Sequence, residues 1–464
     1  MALEVIILAA GMGKRMHSDL PKVLHPVASV PMLFHVIKTA QELQPSRIHL
    51  VLGHKSDQVE AALQKLDEST RSLLTISLQE QQLGTAHAVM QAQDKLSPDS
   101  HVIVLYGDTP LTPKSELERL LAELESSELA LLTSEPASPF GYGRIIRAAD
   151  GSLENIVEEK DASAEQKAIR EINTGMIAVR GAALSEFLSR IGNSNAQHEY
   201  YLTDLPVLMA RAGRKVSIVR AEPCNTDRLE GINNKAQLAF IERIYQKERA
   251  REYMMNGLTL ADPARFDVRG ELIFGQDCFV DTNVIIEGRV VLGNNVVIGT
   301  GCVLNNVTIG DNSIISPYTI MEKSELKKGT TIGPFARLRP GNILEDDVHV
   351  GNFVEVKNSH IGAGTKSGHL TYIGDTDIGT NTNIGAGTIT CNYDGAYKHR
   401  TTIGNDVFIG SDTQLVAPVT VEDGATVGAG TTVTRTVAAG TLHITRAQAR
   451  TITTYKRPVK QPKK

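Results

Sequence analysis

The chain has 464 residues, 48 basic and 53 acidic side chains and a net charge of −5, which offers no electrostatic case for binding nucleic acid. Its length exceeds one ordinary hydrophobic core, so two or more domains are expected. No apolar run reaches membrane-spanning length, the N-terminus lacks a basic leader, and the four cysteines have no CxxC spacing, so we expect a soluble cytoplasmic protein.

Short apolar runs alternate with amphipathic segments along residues 1–232. The run Val5–Leu8 precedes a glycine turn, and predicted strands at 48–52, 74–78 and 101–105 alternate with predicted helices at 31–43, 56–66 and 85–93. This βαβ rhythm predicts a Rossmann-like, doubly wound α/β domain. In such sheets ligands bind beyond the carboxyl ends of the strands, so the residues that follow strands are the first candidates for a site.

The first candidate is the turn with Gly11 and Gly13, whose backbone amides can approach a phosphate while Arg15 and Lys22 supply positive charge. By itself this turn is a weak signal. It lacks the third glycine of the dinucleotide fingerprint and the Gly-Lys-Ser/Thr ending of the P-loop.

Two further motifs follow strands. Tyr106-Gly107-Asp108 offers a carboxylate, which is either a magnesium ligand or a cap for the next helix. Gln79 with Gly84-Thr85 can read the edge of a base, although Thr85 is equally suited to a simple helix cap.

A charged amphipathic segment then predicts a linking helix over residues 233–254. Beyond it an aliphatic residue recurs every six positions, irregularly at first and then without a gap at Ile403, Ile409, Leu415, Val421, Val427 and Val433. A six-residue period predicts a parallel β-helix over residues 255–450, with three hexads to a coil. The alternative is a β-sandwich with glycine-rich turns. Residues 451–464 form a basic tail, expected to be flexible or packed on a partner.

Interruptions of the six-residue frame indicate where side chains are needed outside the β-helix. The frame breaks over 390–400, which predicts an extruded loop, and shifts near 368–372. His369 lies at the second interruption and is either a general base or a structural histidine. Other polar residues share these regions, and the two cations among them can hold a sugar phosphate or simply solvate the surface: Arg339, Lys357, Tyr372, Asn383, Asn392 and Tyr393.

The N-terminal motifs resemble those of the sugar-phosphate nucleotidyltransferases over more than 200 residues, with a departure at Lys14, where the family more often has Thr. The resemblance implies that Lys22 and Arg15 act on the phosphates of UTP and that Asp108 and Asn233 hold magnesium. Asn233 is also suited to capping the next helix. The other residues implied in the UTP and sugar site are Leu8, Ala9, Ala10, Gly11, Gln79, Gly84, Thr85, Tyr106, Gly107, Gly143, Glu158 and Asn173.

The C-terminal half resembles the hexapeptide acyltransferases, and its Gly368-His369-Leu370-Thr371-Tyr372 motif resembles that of bifunctional bacterial enzymes of cell-envelope precursor synthesis. This implies a left-handed β-helix, a homotrimer and His369 as the base of acetyl transfer. It also implies that glucosamine 1-phosphate is bound by Arg339, Lys357, Tyr372 and Asn383, and acetyl-CoA by Ala386, Asn392, Tyr393, Ser411, Ala429 and Arg446.

Two rival hypotheses keep parts of this picture. One is a pyrophosphorylase with a single activity, whose β-helix only assembles subunits or binds an effector. The other is a trimeric scaffold without catalysis, which the polar residues at the frame breaks disfavour.

Overall fold

The structure is a computed structural model that describes residues 1–460; positions 461–464 of the predicted basic tail lie outside the described residues. The chain divides into two compact units, Met1–Glu248 (unit 1) and a second that starts at Arg249 (unit 2). This division falls inside the helix Lys235–Met255, whereas the sequence pattern placed the end of the first domain at residue 232. Among the described residues, no helix is both long and apolar enough to cross a membrane.

Unit 1 is a mixed α/β domain. Its strands are β1 (Leu3–Ala9), β2 (Pro26–Val27), β3 (Val30–Pro31), β4 (Arg47–Leu52), β5 (Leu74–Leu78), β6 (His101–Tyr106), β7 (Leu129–Ser134), β8 (Arg144–Arg147), β9 (Leu153–Val157), β10 (Ile172–Arg180) and β11 (Val216–Arg220). Its helices are α1 (Met32–Glu42), α2 (Ser56–Leu63), α3 (Glu68–Leu73), α4 (Thr85–Gln93), α5 (Lys114–Ala122), α6 (Ala164–Lys167), α7 (Gly181–Leu188), α8 (Asp204–Arg211) and the part of α9 (Lys235–Met255) that precedes Arg249.

The main sheet runs in the order β11-β7-β10-β6-β1-β4-β5, and the β8–β9 hairpin pairs with β10. β4 and β6 flank β1 and are both parallel to it, so the connections diverge on the two sides of β1. Such a divergence opens a crevice at the carboxyl ends of the strands, where ligands of α/β sheets bind. The Rossmann-like prediction is confirmed, with the difference that β10 runs antiparallel to β6 and β7.

The central strand is apolar throughout because both of its faces are covered. Val5 and Ile7 belong to one hydrophobic cluster, and Ile6 and Leu8 belong to another. Successive side chains of a strand point to opposite faces, so a strand covered on both sides needs apolar residues at every position. This explains why the sequence shows a continuous run here and no alternation.

Unit 2 is a parallel β-helix. One sheet of short strands forms the first face of the prism: Thr259–Leu260, Phe279–Val280, Val297–Ile298, Ile314–Ile315, Thr331–Ile332, His349–Asn352, Lys366–His369, Asn383–Ile384, Phe408–Ile409, Thr426–Val427 and Leu442–His443. A second sheet starts with four longer strands, Phe266–Phe274, Val284–Leu292, Val303–Ile309 and Ile320–Leu326.

The second sheet forks after Ile320–Leu326, because the start and the end of that strand pair with different later strands. The arm that forms the second face contains Arg337–Leu338, Glu355–Lys357, Tyr372–Gly374, Ile389–Cys391, Gln414–Val416 and Thr432–Val433. The arm that forms the third face contains Asn342–Leu344, His360–Ile361, Thr376–Ile378, Thr401–Ile403 and Val419–Val421. All of these strands pair in parallel.

The six-residue period corresponds to one buried residue on each face. Ile298 pairs with Val280 in one direction and with Ile315 in the other, so one coil takes 18 or 17 residues. The six aliphatic residues from Ile403 to Val433 all lie in a single buried cluster, at most 2% exposed. The prediction of a β-helix built from hexapeptide repeats is therefore confirmed.

The two predicted frame breaks need correction. The frame does shift by one residue, but between Val356 and Ile361 and again between Ile373 and Ile378. Near 368–372 itself, the buried Ser367 pairs with Val350 and Ile384 and takes the inward position. Thr390 does the same inside the strand Ile389–Cys391, and the extruded loop starts only at Asn392. A search for aliphatic residues missed both coils because small hydroxyl residues occupy the inward positions.

Candidate functional site

Unit 1 contains a cavity of about 430 Å³ beyond the carboxyl ends of its strands. Leu8 and Ala9 end β1, Tyr106 ends β6, and Gln79 follows β5, so the ends of three strands meet at its wall. The residues predicted for the nucleotide and sugar site that line it are Leu8, Ala9, Ala10, Gly11, Lys22, Gln79, Gly84, Thr85, Tyr106, Asp108, Gly143, Glu158, Asn173 and Asn233.

Two of the described residues predicted for this site lie outside the lining. Arg15 is exposed on a short 3-10 helix, Lys14–Met16. Gly107 packs beneath the cavity, where its amide donates to the Leu8 carbonyl at 2.9 Å and an added Cβ would lie 3.2 Å from Val23. Gly107 thus serves packing between β1 and β6.

Lys22, Asp108 and Asn233 meet at one point of the cavity. The Lys22 ammonium forms an ion pair with the Asp108 carboxylate and donates to the Asn233 side-chain oxygen at 2.8 Å. Its side chain is only 12% exposed. Residues far apart in the chain therefore bring one cation and two oxygen ligands together.

The capping alternatives for these residues can now be resolved. Asn234, not Asn233, accepts the Gln237 amide at 2.9 Å at the start of α9, and Gln237 in turn accepts the Asn233 amide at 2.8 Å. The Asn233 side chain is therefore available to the cavity. Asp108 pairs with Lys22 and does not cap α5, whose N-terminal residue is preceded by Pro113.

One carboxylate and one amide oxygen directed at a shared cation are a donor set that magnesium accepts. Mg²⁺ takes oxygen ligands only and normally completes its octahedron with water and substrate phosphates. The side chains of Asp108 and Asn233 therefore fit the metal that the family resemblance implied.

A second wall is built around Gly84. The Gln79 side-chain amide donates to the Gly84 carbonyl at 3.0 Å, and the Leu202 amide donates to the Thr85 hydroxyl at 2.9 Å. Thr85 is thus tied to a distant loop and does not cap its own helix. Gly84 has φ = +113°, and an added Cβ would lie 2.4 Å from the Tyr200 carbonyl oxygen, so only glycine fits there.

A third wall contains Gly143, Glu158 and Asn173. The Asn173 amide donates to the Gly143 carbonyl at 2.8 Å, and an added Cβ on Gly143 would lie 3.3 Å from a Glu158 carboxylate oxygen. Burial raises the pKa of the Glu158 carboxyl above its usual value, although a hydrogen bond with Thr203 acts in the opposite direction. A carboxylate in this position is suited to accept hydrogen bonds from the hydroxyl groups of a sugar.

Sequence reasoning missed several residues of the cavity. Tyr142 lies between two glycines of a quoted motif, and its hydroxyl accepts the Gly231 amide at 3.2 Å. Burial raises the pKa of Tyr142 to about 12, so it stays protonated. The others include Gln82, Thr174, Gly175, Glu199, Tyr201 and Thr203. The segment 199–203 contains no glycine and no recognisable motif, so nothing in its local sequence indicated that it belongs to the site.

His369 lies on the surface of unit 2, at the end of its strand on the first face. Its Nδ1 lies 2.8 Å from the side-chain oxygen of Asn352, the residue paired with it in the preceding coil. Because a carbonyl oxygen can only accept, Nδ1 carries the proton in this contact. The Nε2 lone pair is then free to take a proton.

Three of the predicted acetyl-CoA residues form one column with His369. Ser367 pairs with Ile384, Ile384 with Ile409, and Ile409 with Val427, so the positions two residues later are equivalent in successive coils. These positions are His369, Ala386, Ser411 and Ala429. The Arg446 guanidinium reaches the same column, where it donates to the Ala429 carbonyl at 2.6 Å.

The predicted phosphate cations lie on the second face. Leu338 pairs with Val356, so Arg339 and Lys357 follow in equivalent positions, and Arg339 donates to Glu355 at 3.1 Å. The adjacent Lys398 lowers the pKa of Lys357, because two ammonium groups lie close together. This cluster was only partly predicted, since Lys398 belongs to the extruded loop.

The remaining predicted residues of unit 2 are distributed around this cluster. Asn392 is buried, donates to Asp375 at 2.5 Å and lies 3.4 Å from the Tyr372 hydroxyl, so it belongs to the cation cluster. Tyr393 is exposed in the loop, and Asn383 lies on the first face beside Lys366. Within one chain, the predicted set therefore occupies two faces of the prism.

Three family models match parts of the chain. Residues 5–171 match the MobA-like NTP transferase domain, residues 268–366 match the GMPPB C-terminal domain, and residues 400–435 match the bacterial transferase hexapeptide model of six repeats.

Solved structures resemble the chain over about half of its length. A protein named as a glucose-1-phosphate thymidylyltransferase from Bacillus anthracis, in complex with sucrose, is 18% identical with a TM-score of 0.43, covering 52% of this chain and 95% of its own. A UDP-glucose pyrophosphorylase complexed with UDP-glucose is 17% identical with a TM-score of 0.42, covering 54% and 100%. The family models and the cavity support a nucleotidyltransferase domain followed by hexapeptide repeats.

Proposed function

We propose that the chain is a bifunctional transferase that makes UDP-N-acetylglucosamine. Unit 2 transfers an acetyl group from acetyl-CoA to the amine of glucosamine 1-phosphate. Unit 1 then transfers UMP from UTP to N-acetylglucosamine 1-phosphate and releases pyrophosphate. The observation that carries the proposal is the convergence of fourteen motif residues on one cavity that contains Lys22, Asp108 and Asn233. The bifunctional GlmU enzymes resemble this chain in the motifs of both units.

In unit 1 the chemistry is a displacement at phosphorus. A phosphate oxygen of the sugar 1-phosphate attacks the α-phosphorus of UTP, and pyrophosphate leaves with the electron pair of the broken P–O bond. The task of the protein is to hold both groups in line and to neutralise charge. Asp108 and Asn233 would hold a magnesium ion, which would supply charge neutralisation and Lewis acidity.

The protein's own groups have separable tasks in this step. The Lys22 ammonium contacts phosphate oxygens, and the backbone of Gly11 approaches them closely. Gln79 and the Gly84 carbonyl face the base, for which uracil is the proposed occupant. Both Glu158 and Asn173 form hydrogen bonds with the sugar: the Glu158 carboxylate accepts them, and the Asn173 side-chain amide can also donate.

In unit 2 the reaction is attack of an amine on a thioester. The glucosamine nitrogen attacks the acetyl carbonyl while Nε2 of His369 takes the proton from the amine. The C–S bond then breaks, and the protonated Nε2 returns the proton to the sulfur, so coenzyme A leaves as the thiol. Asn352 holds the tautomer with the proton on Nδ1, which leaves Nε2 available. The cations Arg339 and Lys357 suit the phosphate of the sugar.

The column that contains His369, Ala386, Ser411 and Ala429 supports the placement of acetyl-CoA. Small residues at successive corners leave room for an extended pantetheine arm, and Arg446 at its end can contact phosphates of the nucleotide. The thioester would then lie at the His369 end of the column.

A homotrimer, the proposed assembly, would bring neighbouring prisms against this column. Support comes from a stack of half-exposed rings at the adjoining corner: Tyr318 and Phe335 are 5.3 Å apart, and Phe335 and Phe353 are 5.6 Å apart. Because unit 2 divides its candidate residues between two faces, a second chain offers the missing wall. Sedimentation equilibrium should give three times the mass of one chain.

Two assays of the purified protein test the proposal. The first measures pyrophosphate from UTP and N-acetylglucosamine 1-phosphate with magnesium, and the second measures free thiol from acetyl-CoA and glucosamine 1-phosphate. We expect the protein to be active in both assays, and each activity to require its own sugar phosphate. Pyrophosphate release without any thiol release would favour a single-activity pyrophosphorylase whose β-helix only assembles subunits.

A further inference from the structure

Arg144 starts strand β8 beside the cavity and is only 2% exposed. Its Nη2 lies 2.8 Å from the Glu159 carboxylate, and its Nη1 donates to the Tyr142 carbonyl. A guanidinium taken out of water needs paired acceptors, so these two contacts are a condition of its burial. Arg144 is not one of the described residues that line the cavity.

Glu159 has a second contact. The same carboxylate oxygen that pairs with Arg144 accepts the Gly141 amide at 3.3 Å. Gly141 has φ = +88°, a left-handed conformation that glycine adopts without strain. Arg144 and Glu159 therefore tie the turn 158–161, which follows β9, to the loop 139–143, which precedes β8.

Both of the tied segments carry residues of the cavity wall. Gly141, Tyr142 and Gly143 come from the loop, and Glu158 precedes Glu159 directly. The base-side wall is held by different contacts, those of Gln79 with Gly84 and of Thr85 with Leu202. The ion pair therefore supports the sugar-side wall alone.

We propose that Arg144 and Glu159 are positioning residues for the sugar 1-phosphate half of the cavity, an inference that rests on the proposed uridylyl transfer. They hold Gly143 and Glu158 at a fixed spacing without contacting substrate. Loss of the pair loosens the wall that grips the sugar and leaves the nucleotide wall in place.

The test compares Glu159→Ala, Glu159→Gln and Arg144→Lys with the unchanged protein in the uridylyl assay. For Glu159→Ala we expect the KM for N-acetylglucosamine 1-phosphate to rise about tenfold and the KM for UTP to change less than about threefold. The variants Glu159→Gln and Arg144→Lys each keep part of the hydrogen bonding between the two segments. They should therefore raise the KM for N-acetylglucosamine 1-phosphate by less than Glu159→Ala does.

Arg147→Met is the matched control. Arg147 lies on the same strand and pairs with Glu171 at 2.6 Å, but it is outside the cavity lining. We expect both KM values to stay within about twofold of the unchanged protein, since surface pairs contribute little. If Arg147→Met gives the same rise as Glu159→Ala, or if Glu159→Ala raises both KM values equally, the inference is wrong.

Hydrogen exchange supplies a readout that does not depend on activity. In Glu159→Ala, amides of the segment 139–143 should exchange faster, while the segment 79–88 should keep its rate. If hydrogen exchange at 139–143 is unchanged in Glu159→Ala, the Arg144–Glu159 pair does not hold this loop. If the unchanged protein releases no pyrophosphate, the proposed function fails, and the exchange experiment still decides whether the two residues hold the loop.

Discussion

The two units bring functional residues together in different ways. Unit 1 gathers side chains from loops after several strands into one cavity, where Lys22, Asp108 and Asn233 touch although more than 200 residues separate the first from the last. Unit 2 places its candidates on its outer surface, in columns that repeat with the coil. A layered sheet encloses a ligand within one chain, whereas a solenoid presents a surface that an inserted loop or a neighbouring chain must complete.

The largest test of this separation is His369→Ala. Removing a general base should lower acetyl transfer by about 10²–10⁴-fold, while uridylyl transfer stays within about twofold because its cavity is in unit 1. Free thiol and pyrophosphate are measured on the same preparation. His360→Ala, an exposed histidine of the same prism, is the control. A parallel loss of both activities in a folded protein would contradict the division of labour.

Asp108→Ala tests the same separation from the other side. Loss of the carboxylate beside Lys22 should lower pyrophosphate formation by about 10²–10³-fold and leave thiol release unchanged. The exposed Asp150→Ala serves as its control. Unchanged pyrophosphate yield would remove Asp108 from the site.

The pH dependence of uridylyl transfer should identify Glu158. Burial raises its pKa, so the carboxylate needed to accept a sugar hydroxyl is lost at a higher pH than for an ordinary glutamate, and kcat/KM should fall on the acid side accordingly. Thr203→Val removes a hydrogen bond that lowers this pKa, so the acid limb should move further up. A limb that moves down, or stays in place, would separate Glu158 from the profile.

Asn352→Ala sharpens the comparison within unit 2. Without the Asn352 oxygen, the Nδ1 proton of His369 is no longer held, and we expect acetyl transfer to fall about tenfold, the equivalent of one hydrogen bond. The expected loss is smaller than that of His369→Ala because the base itself remains. Equal losses in the two variants would mean that Asn352 does more than orient the ring.

The smallest expected effects concern the two hydroxyl residues inside the prism. Within residues 1–460 the buried Ser367 hydroxyl has no hydrogen-bond partner, so Ser367→Ala should raise the free energy of unfolding by about 1 kcal/mol. Thr390 instead accepts the Gly374 amide at 2.8 Å, so Thr390→Val should lower it by about 1–2 kcal/mol. The midpoints of urea unfolding measure both. Changes of the same sign would contradict this account.

The sequence alone determined the features that depend on local backbone geometry. The six-residue period predicted which aliphatic residues fill the prism, because each coil repeats one arrangement of strand and corner. The apolar run at Val5–Leu8 and the glycine turn after it predicted where the sheet would place its ligand cavity.

Only the tertiary structure decided how distant segments meet. It showed that Asn234 caps α9 while Asn233 faces Lys22, that Thr203 reaches Glu158, and that Arg144 ties two loops together. The sequence could not order these alternatives, because each pairing depends on loop paths that converge only after the sheet has formed. Periodicity is a property of neighbouring residues, whereas a cavity is a property of the whole domain.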